Sequence, residues 1–361
     1  MNLIATAINT VERTPLPDPL TRYGIQFLVG RTRRRLSAGS MSTDGDFASA
    51  MAEHPIATHV EAANEQHYEL PPAFFGLTLG PRRKYSSCLY GNGASTLAEA
   101  EVHALEETIA HADVIDGQRI LELGCGWGSL TLFMAERCPA ARIVAVSNSA
   151  PQRRYIEEQA KARNLDNIRV ITADMNEFSP EGLFDRVVSV EMFEHMSNWK
   201  KLLERVKGWI ADDGKLFLHV FTHRQGCYRF DHTDKSDWIA NHFFTGGVMP
   251  SHGLIQRFPD SFEVEQEWRW NGKHYQRTAE EWLANFDANR PRIDRILGDV
   301  YGADAGLWHR RWRLFFLATA GLFGHANGEE WVSATTVCVR PRAVGIEPFV
   351  TLALDPCLCS A

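Results

Sequence analysis

Short apolar runs alternate with longer stretches of helical spacing through the middle of the chain. The first run, Ile120, Leu121 and Leu123 within RILELGCGWGS (119–129), is followed by the helical pattern LTLFMAER. RIVAVS (142–147), IRVIT (168–172), FDRVVSV (184–190) and GKLFLHVF (214–221) repeat the strand signal. The order strand, helix, strand predicts an α/β fold with a parallel sheet. FEVEQEWRWNG (262–272) alternates as a sixth strand, and WVSATTVCVRP (331–341) closes the set. The expected core is a seven-stranded, mostly parallel sheet with helices on both faces.

The flanks have a different texture. LTRYGIQFLVGRTRRRL (20–36) reads as an amphipathic helix with a basic face, and MSTDGDFASAMAEHP (41–55) as a polar linker into a short helix. Residues 66–97 are aromatic and turn-rich, ending in Ser95 or Thr96 as the cap of a helix with acidic residues in its first turn. A long aromatic and His-rich stretch after the fifth strand turns at Gly246, Gly247 and Pro250, and SHGLIQRF (251–258) then reads as a helix. TAEEWLANFDANRPRIDRIL (278–297) and GLWHRRWRLFFLATAGLFG (306–324) are helical. The expected layout is an N-terminal cap over 1–98, a sheet domain over 99–341 with covering insertions at about 222–250 and 275–325, and a tail over 342–361 of no assigned role.

Composition narrows the partners. The chain has 361 residues, 44% hydrophobic and 23% charged, as in ordinary globular proteins. No apolar run reaches the roughly 18 to 20 residues of a membrane span. A net charge of −7 argues against general nucleic-acid binding and suits a cationic small molecule. Seven cysteines without repeated spacing fit a reduced, cytoplasmic setting, and Cys357 and Cys359 have no second pair with which to bind zinc. The Arg-rich start leaves a transit peptide or a disordered tail open.

The candidate chemistry collects at strand ends. Gly124, Gly126 and Gly128 form G-x-G-x-G, shorter than the dinucleotide fingerprint, and Glu122 precedes them. That carboxylate opposes a pyrophosphate and favours a ligand with a positive group. An ordinary tight turn is the plain alternative. Ser147, Asp174 and Glu191 end the next strands, converging on one crevice of the sheet. Glu191, Glu194 and His195 lie within five residues there. If a helical turn starts at Glu191, Glu191 and His195 share a face, and the carboxylate raises the imidazole's affinity for a proton. A surface ion pair is the alternative.

The series E-L-G-C-G-W-G, A-D-M and D-R-V-V-S-V-E resembles the S-adenosylmethionine-dependent methyltransferases of Rossmann-like fold. QHYEL, FF, L-G-P-R, Y-S-S-C and TLAEAE narrow the likeness to the cyclopropane fatty-acid synthase superfamily. S-V-E-M-F-E-H-M and F-F-T-G-G-x-M-P look most like its coclaurine N-methyltransferase-like members, over about residues 60–332. The resemblance implies S-adenosyl-L-methionine as cofactor. Its pocket would comprise Tyr85 and Ser86 closing over the amino-acid end, Glu122, Gly124 and Gly126, then Ser147, Asn148 and Gln152, and Asp174 and Met175 at the adenine. The catalytic set would be Glu191, His195 and Glu194, with Tyr90, Phe244, Trp312, Phe316 and Trp331 around the substrate. No metal is implied, and a homodimer is one expectation.

Two departures separate the branches of this superfamily. Cyclopropane synthases typically have glycine where this chain has Glu191. They also carry, one residue after the Tyr-Ser pair, a cysteine that helps to hold a proton-accepting bicarbonate. Here that position is Ser87, and Cys88 is displaced by one. The expected activity is methyl transfer to an amine nitrogen of a small, aromatic, alkaloid-like substrate. The alternative is a cyclopropane-fatty-acyl-phospholipid synthase. A non-enzymatic cofactor-binding module would not need the charged triplet.

Overall fold

The computed structural model describes residues 3–14, 16–38, 43–58, 70–91 and 93–341. The expectations for the tail, for Cys357 and Cys359 and for Gln66 to Tyr68 fall outside these residues. Strands β1 (Arg119–Leu123), β2 (Arg142–Ser147), β3 (Ile168–Thr172), β4 (Phe184–Val190) and β5 (Ile210–His223) run parallel. A short ribbon, β6 (Tyr228–Arg229) with β7 (Val248–Met249), stands apart from the main sheet. β8 (Glu263–Trp270) and β9 (Trp331–Val339) complete the order β3-β2-β1-β4-β5-β9-β8, with β9 antiparallel to both neighbours. The order in which strands are added reverses between the parallel β1 and β4, so their carboxyl ends open the ligand crevice of a doubly wound fold.

The near-continuous apolar β1 and β4 suit strands covered on both faces, and both are buried almost throughout. Of the twelve α-helices among the described residues, a few place the site. Helices α1 (Leu3–Arg13), α2 (Asp18–Ser37) and α3 (Asp44–Met51) form the amino-terminal part, and α4 (Pro72–Thr78) precedes the Tyr-Ser loop. α5 (Leu97–His111) begins with a capping box: Thr96 accepts from the Glu99 amide while Glu99 accepts from the Thr96 amide. α6 (Ser129–Arg137) follows the glycine turn, and α7 (Ala150–Ala162) is capped by Ser149. α8 (Trp199–Trp209) leads back into β5.

The two covering segments differ from the sequence expectation in detail. The first contains the β6–β7 ribbon and one short helix, α9 (Trp238–His242), while SHGLIQRF makes only a 3-10 turn at Leu254–Arg257. The stretch at 278–297 is two helices, α10 (Gly272–Ala288) and α11 (Arg290–Tyr301), because Pro291 lacks an amide proton and starts a new first turn. α12 (Ala305–Phe323) packs along α10, and α2 lies across α12. Arg22 on α2 holds Glu280 on α10 through two hydrogen bonds of 2.5 and 2.7 Å. Among the described residues, no helix is long and apolar enough to cross a membrane.

Candidate active site

The glycine turn after β1 is shaped for close approach. Gly124 and Gly126 have φ of 78° and 51°, the left-handed region where a side chain is costly. A Cβ on Gly124 would come within 2.5 Å of Met192, whereas one on Gly126 would project into open space. That space belongs to a cleft lined by Gly124, Gly126, Ser147, Asn148, Gln152, Asp174 and Met175. Ser147 Oγ donates to Gln152 Oε1 at 2.6 Å, which fixes the amide and leaves the buried Gln152 Nε2 without a partner. Asp174 Oδ1 accepts from the amide and side chain of Asn176. An open glycine cradle and an orphaned buried donor fit a polar ligand of S-adenosylmethionine's kind.

Beside this cleft lies a larger cavity of about 640 Å³, under α2, α9, α10 and α12. Tyr85, Phe221, Tyr228, Phe230, Phe244, Tyr275, Phe315 and Phe323 give it aromatic walls. Glu191 and His195 line both spaces. They therefore lie on the wall that the two spaces share.

Glu191 ends β4 with φ of 48°, a conformation uncommon for glutamate. Its amide donates to His219 O at 2.7 Å. The side chain is fixed from two directions: the Ser87 amide donates to Oε1 at 2.9 Å and the Tyr275 hydroxyl to Oε2 at 2.8 Å. His219 Nε2 lies 3.7 Å from Oε1. Only Phe193–His195 coils, as a 3-10 turn, so the helical i, i+4 pairing of Glu191 with His195 is not formed. Tertiary contacts hold Glu191 instead, and His195 packs against Phe244 with ring centroids 4.4 Å apart.

Electrostatics divide the charged groups. Burial pushes the Glu191 carboxyl upward, opposed by Lys84, the Ser87 amide and Tyr275. Burial and the neighbouring Glu191 push Glu194 much further up, although the Phe221 amide donates to its Oε1 at 2.7 Å. Of this coupled pair, Glu191 is the better supported as an anion. His195 does not gain proton affinity as the sequence suggested. Burial lowers it to about 4, leaving a neutral ring at physiological pH.

The remaining sequence candidates are distributed unevenly. Tyr85 and Phe244 line the large cavity. Ser86 accepts from Lys84 Nζ, and Glu122 lies behind the glycine turn, accepting from Thr131 Oγ1 at 2.6 Å. Neither lines the cleft or the larger cavity. Trp312, Phe316 and Trp331 are almost wholly buried in the core, and the face of α12 toward the cavity is the adjacent one, Phe315, Leu322 and Phe323. Tyr90 is outside the cavity, under the Arg277 guanidinium 4.2 Å from its ring. Sequence reading missed Lys84, His219 and Tyr275, and it marked Ser87 only as a departure from the family cysteine, not as a donor to Glu191. Tyr275 is 84 positions from Glu191, and no local pattern joins them. Lys84 looks like the end of a basic surface run, PRRK, until its burial is seen.

Comparison with known proteins agrees with this geometry. Residues 56–328 match the family model for mycolic acid cyclopropane synthetase. The (S)-coclaurine N-methyltransferase of Thalictrum flavum subsp. glaucum is 35% identical over 344 residues, covering 92% of this chain and 94% of that protein. The cyclopropane-fatty-acyl-phospholipid synthase of Escherichia coli K12 is 28% identical over 269 residues, 74% of this chain and 65% of that one. The crystal structure of coclaurine N-methyltransferase bound to N-methylheliamine and S-adenosylhomocysteine superposes with a TM-score of 0.86 at 33% identity, covering 94% of this chain and all of that one. The chain is thus an S-adenosylmethionine-dependent methyltransferase, and it belongs to the mycolic acid cyclopropane synthetase family in its coclaurine N-methyltransferase-like group.

Proposed function

We propose that the protein methylates the nitrogen of a small aromatic, alkaloid-like amine. The observation that carries this reading is the Glu191 carboxylate, fixed by Ser87 and Tyr275 where the two spaces join. S-adenosylmethionine supplies an electrophilic methyl group on a sulfonium. Gly124, Gly126, Ser147, Asn148, Gln152, Asp174 and Met175 are the residues that would hold it. An amine arrives mostly as ammonium at neutral pH and is not nucleophilic until it loses a proton. Glu191 offers that ammonium a negative oxygen among aromatic walls, and the neutral ring of His195 lines the same two spaces. Glu194, held by the Phe221 amide, supports the turn that carries both.

The Ser87 amide also bears on the cyclopropane reading. It belongs to the position where those relatives carry the cysteine associated with bicarbonate, and here it is engaged by the protein's own carboxylate. The setting we infer is cytoplasmic, supported by the five described cysteines, all free and buried. The test is incubation with labelled methyl donor and either cyclic aromatic amines or unsaturated phospholipid vesicles, followed by pH–rate profiles. Label should enter amines. Glu191→Gln should lower turnover by about 10²- to 10⁴-fold near neutral pH, and the defect should shrink as pH rises and free amine accumulates. Label entering only lipid would overturn the proposal.

A further inference from the structure

Among the described residues, Lys84 is a fully buried cation next to the loop that holds Glu191, and the chemistry above does not use it. Its side chain is 1% exposed. Nζ donates to Ser86 Oγ and to Ser87 O, each at 2.6 Å, and pairs with no carboxylate among the described residues. A buried ammonium is expensive, and an apolar side chain of similar length would be cheaper in the fold. Those two bonds flank the Ser86–Ser87 peptide whose amide proton points at Glu191 Oε1. The backbone beneath is held separately, since Glu101 accepts from the amides of Arg82 at 2.8 Å and Lys84 at 3.0 Å.

We propose that Lys84 is a positioning residue for Glu191: its ammonium pins the peptide that donates to Oε1, and its charge favours the ionised carboxylate. This rests on the reading of Glu191 as the group that receives the substrate's proton. Other elements also bear on that carboxylate. Tyr275 on α10 donates to it, His219 on β5 lies 3.7 Å away, and Glu194 and His195 share its turn. His219 is buried and driven strongly toward its neutral form, so it supplies no counter-charge. Tyr275 is held neutral by burial and by Glu191 itself. Glu194 opposes ionisation of Glu191. Cys88 and Glu101 face Lys84 from the loop and from α5, and Glu101 is occupied by the two amides. Burial also lowers the proton affinity of Lys84, with Glu191 among the groups that sustain its charge, and in return the ammonium offsets part of the burial that raises the Glu191 carboxyl.

The experiment compares Lys84→Met, Glu191→Gln and the double variant in amine methylation across pH, with cofactor affinity by calorimetry as the check on folding. Lys84→Met should lower kcat/KM near neutral pH by about ten- to a hundredfold, part of what a general base supplies. The acid limb of its profile should move to higher pH, and affinity for S-adenosylhomocysteine should stay within a few-fold. In the Glu191→Gln background the same change should cost little more, because there is no carboxylate left to tune. Losses that multiply, or an unmoved acid limb, overturn the proposal. Should Lys84→Met fail to fold, Ser86→Ala removes one anchor of the ammonium, and a smaller limb shift of the same sign is required. An unmoved limb there overturns it as well. If Glu191→Gln alone keeps full activity, it is the parent reading that fails.

Discussion

The Tyr275 hydroxyl reaches Glu191 Oε2 at 2.8 Å from a helix 84 positions away in sequence. A carboxylate at the end of one strand is thereby referenced to α10, the helix that also walls the substrate cavity with Tyr275 and Trp282. The shape of the cavity and the position of the proposed base are set by the same element. The Tyr275 ring stacks on Phe323 of α12, with centroids 4.2 Å apart and planes 22° apart.

Glu191→Gly should separate activity from stability. Glycine relieves about 1–3 kcal/mol of left-handed backbone strain, against two lost hydrogen bonds of about 1 kcal/mol each. Urea unfolding should give a free energy within about 2 kcal/mol of wild type, while amine methylation collapses. A large stability loss would mean that the carboxylate is chiefly structural.

Gly126→Val should lose cofactor affinity by at least about a hundredfold. The valine would project into the cleft and would also carry the left-handed penalty of about 1–2 kcal/mol. Calorimetry with S-adenosylhomocysteine measures the affinity, and circular dichroism checks the fold. A folded variant with wild-type affinity would remove the glycine turn from the cofactor site.

Glu122 gives a pH-dependent prediction. Burial raises its carboxyl to about 7 from the usual 4.5. The folded state then holds this proton where the unfolded chain has released it. The contribution to stability is full below about pH 4.5 and is lost as pH rises through 7. Glu122→Gln, which cannot ionise, should be relatively more stable than wild type at pH 8 than at pH 5. The relative gain should be about 3 kcal/mol. Urea titrations of the cofactor-free protein at both pH values test this. A difference that does not change with pH would mean that Glu122 stays charged in the fold.

Trp312 and Phe315 should behave differently although both are aromatic residues of α12. Trp312→Ala should destabilise by about 3–5 kcal/mol, as a buried aromatic does when truncated. Phe315→Ala should instead raise KM for the amine, with a smaller stability loss. Equal effects on KM would place the cavity wall elsewhere.

The sheet was legible because its strands are apolar runs bounded by turn residues, and strand ends such as Ser147 and Asp174 needed only the order of the runs. Glu191, Glu194 and His195 were legible as a cluster, but their geometry was not. Helical spacing assumes helical backbone at Glu191, and the chain turns left-handed there. The fate of Trp312 against Phe315 was hidden for a different reason. Both faces of α12 are apolar, one packed on α10 and the other turned to the cavity, so periodicity alone cannot tell a core face from a wall. Lys84 illustrates the general difficulty, since a buried lysine and a solvated one are the same letter.

The left-handed backbone at position 191 has an evolutionary consequence. Such a turn accepts glycine without strain and glutamate at modest cost, so the neighbouring sheet, cradle and helices need not change between the two. Codons for glycine and glutamate can differ by one base. The carboxylate proposed to accept the proton can therefore be gained or lost at the mouth of the crevice in one mutational step, on a scaffold already able to bind the methyl donor. Divergence between acceptor chemistries in this family has a short path through that residue.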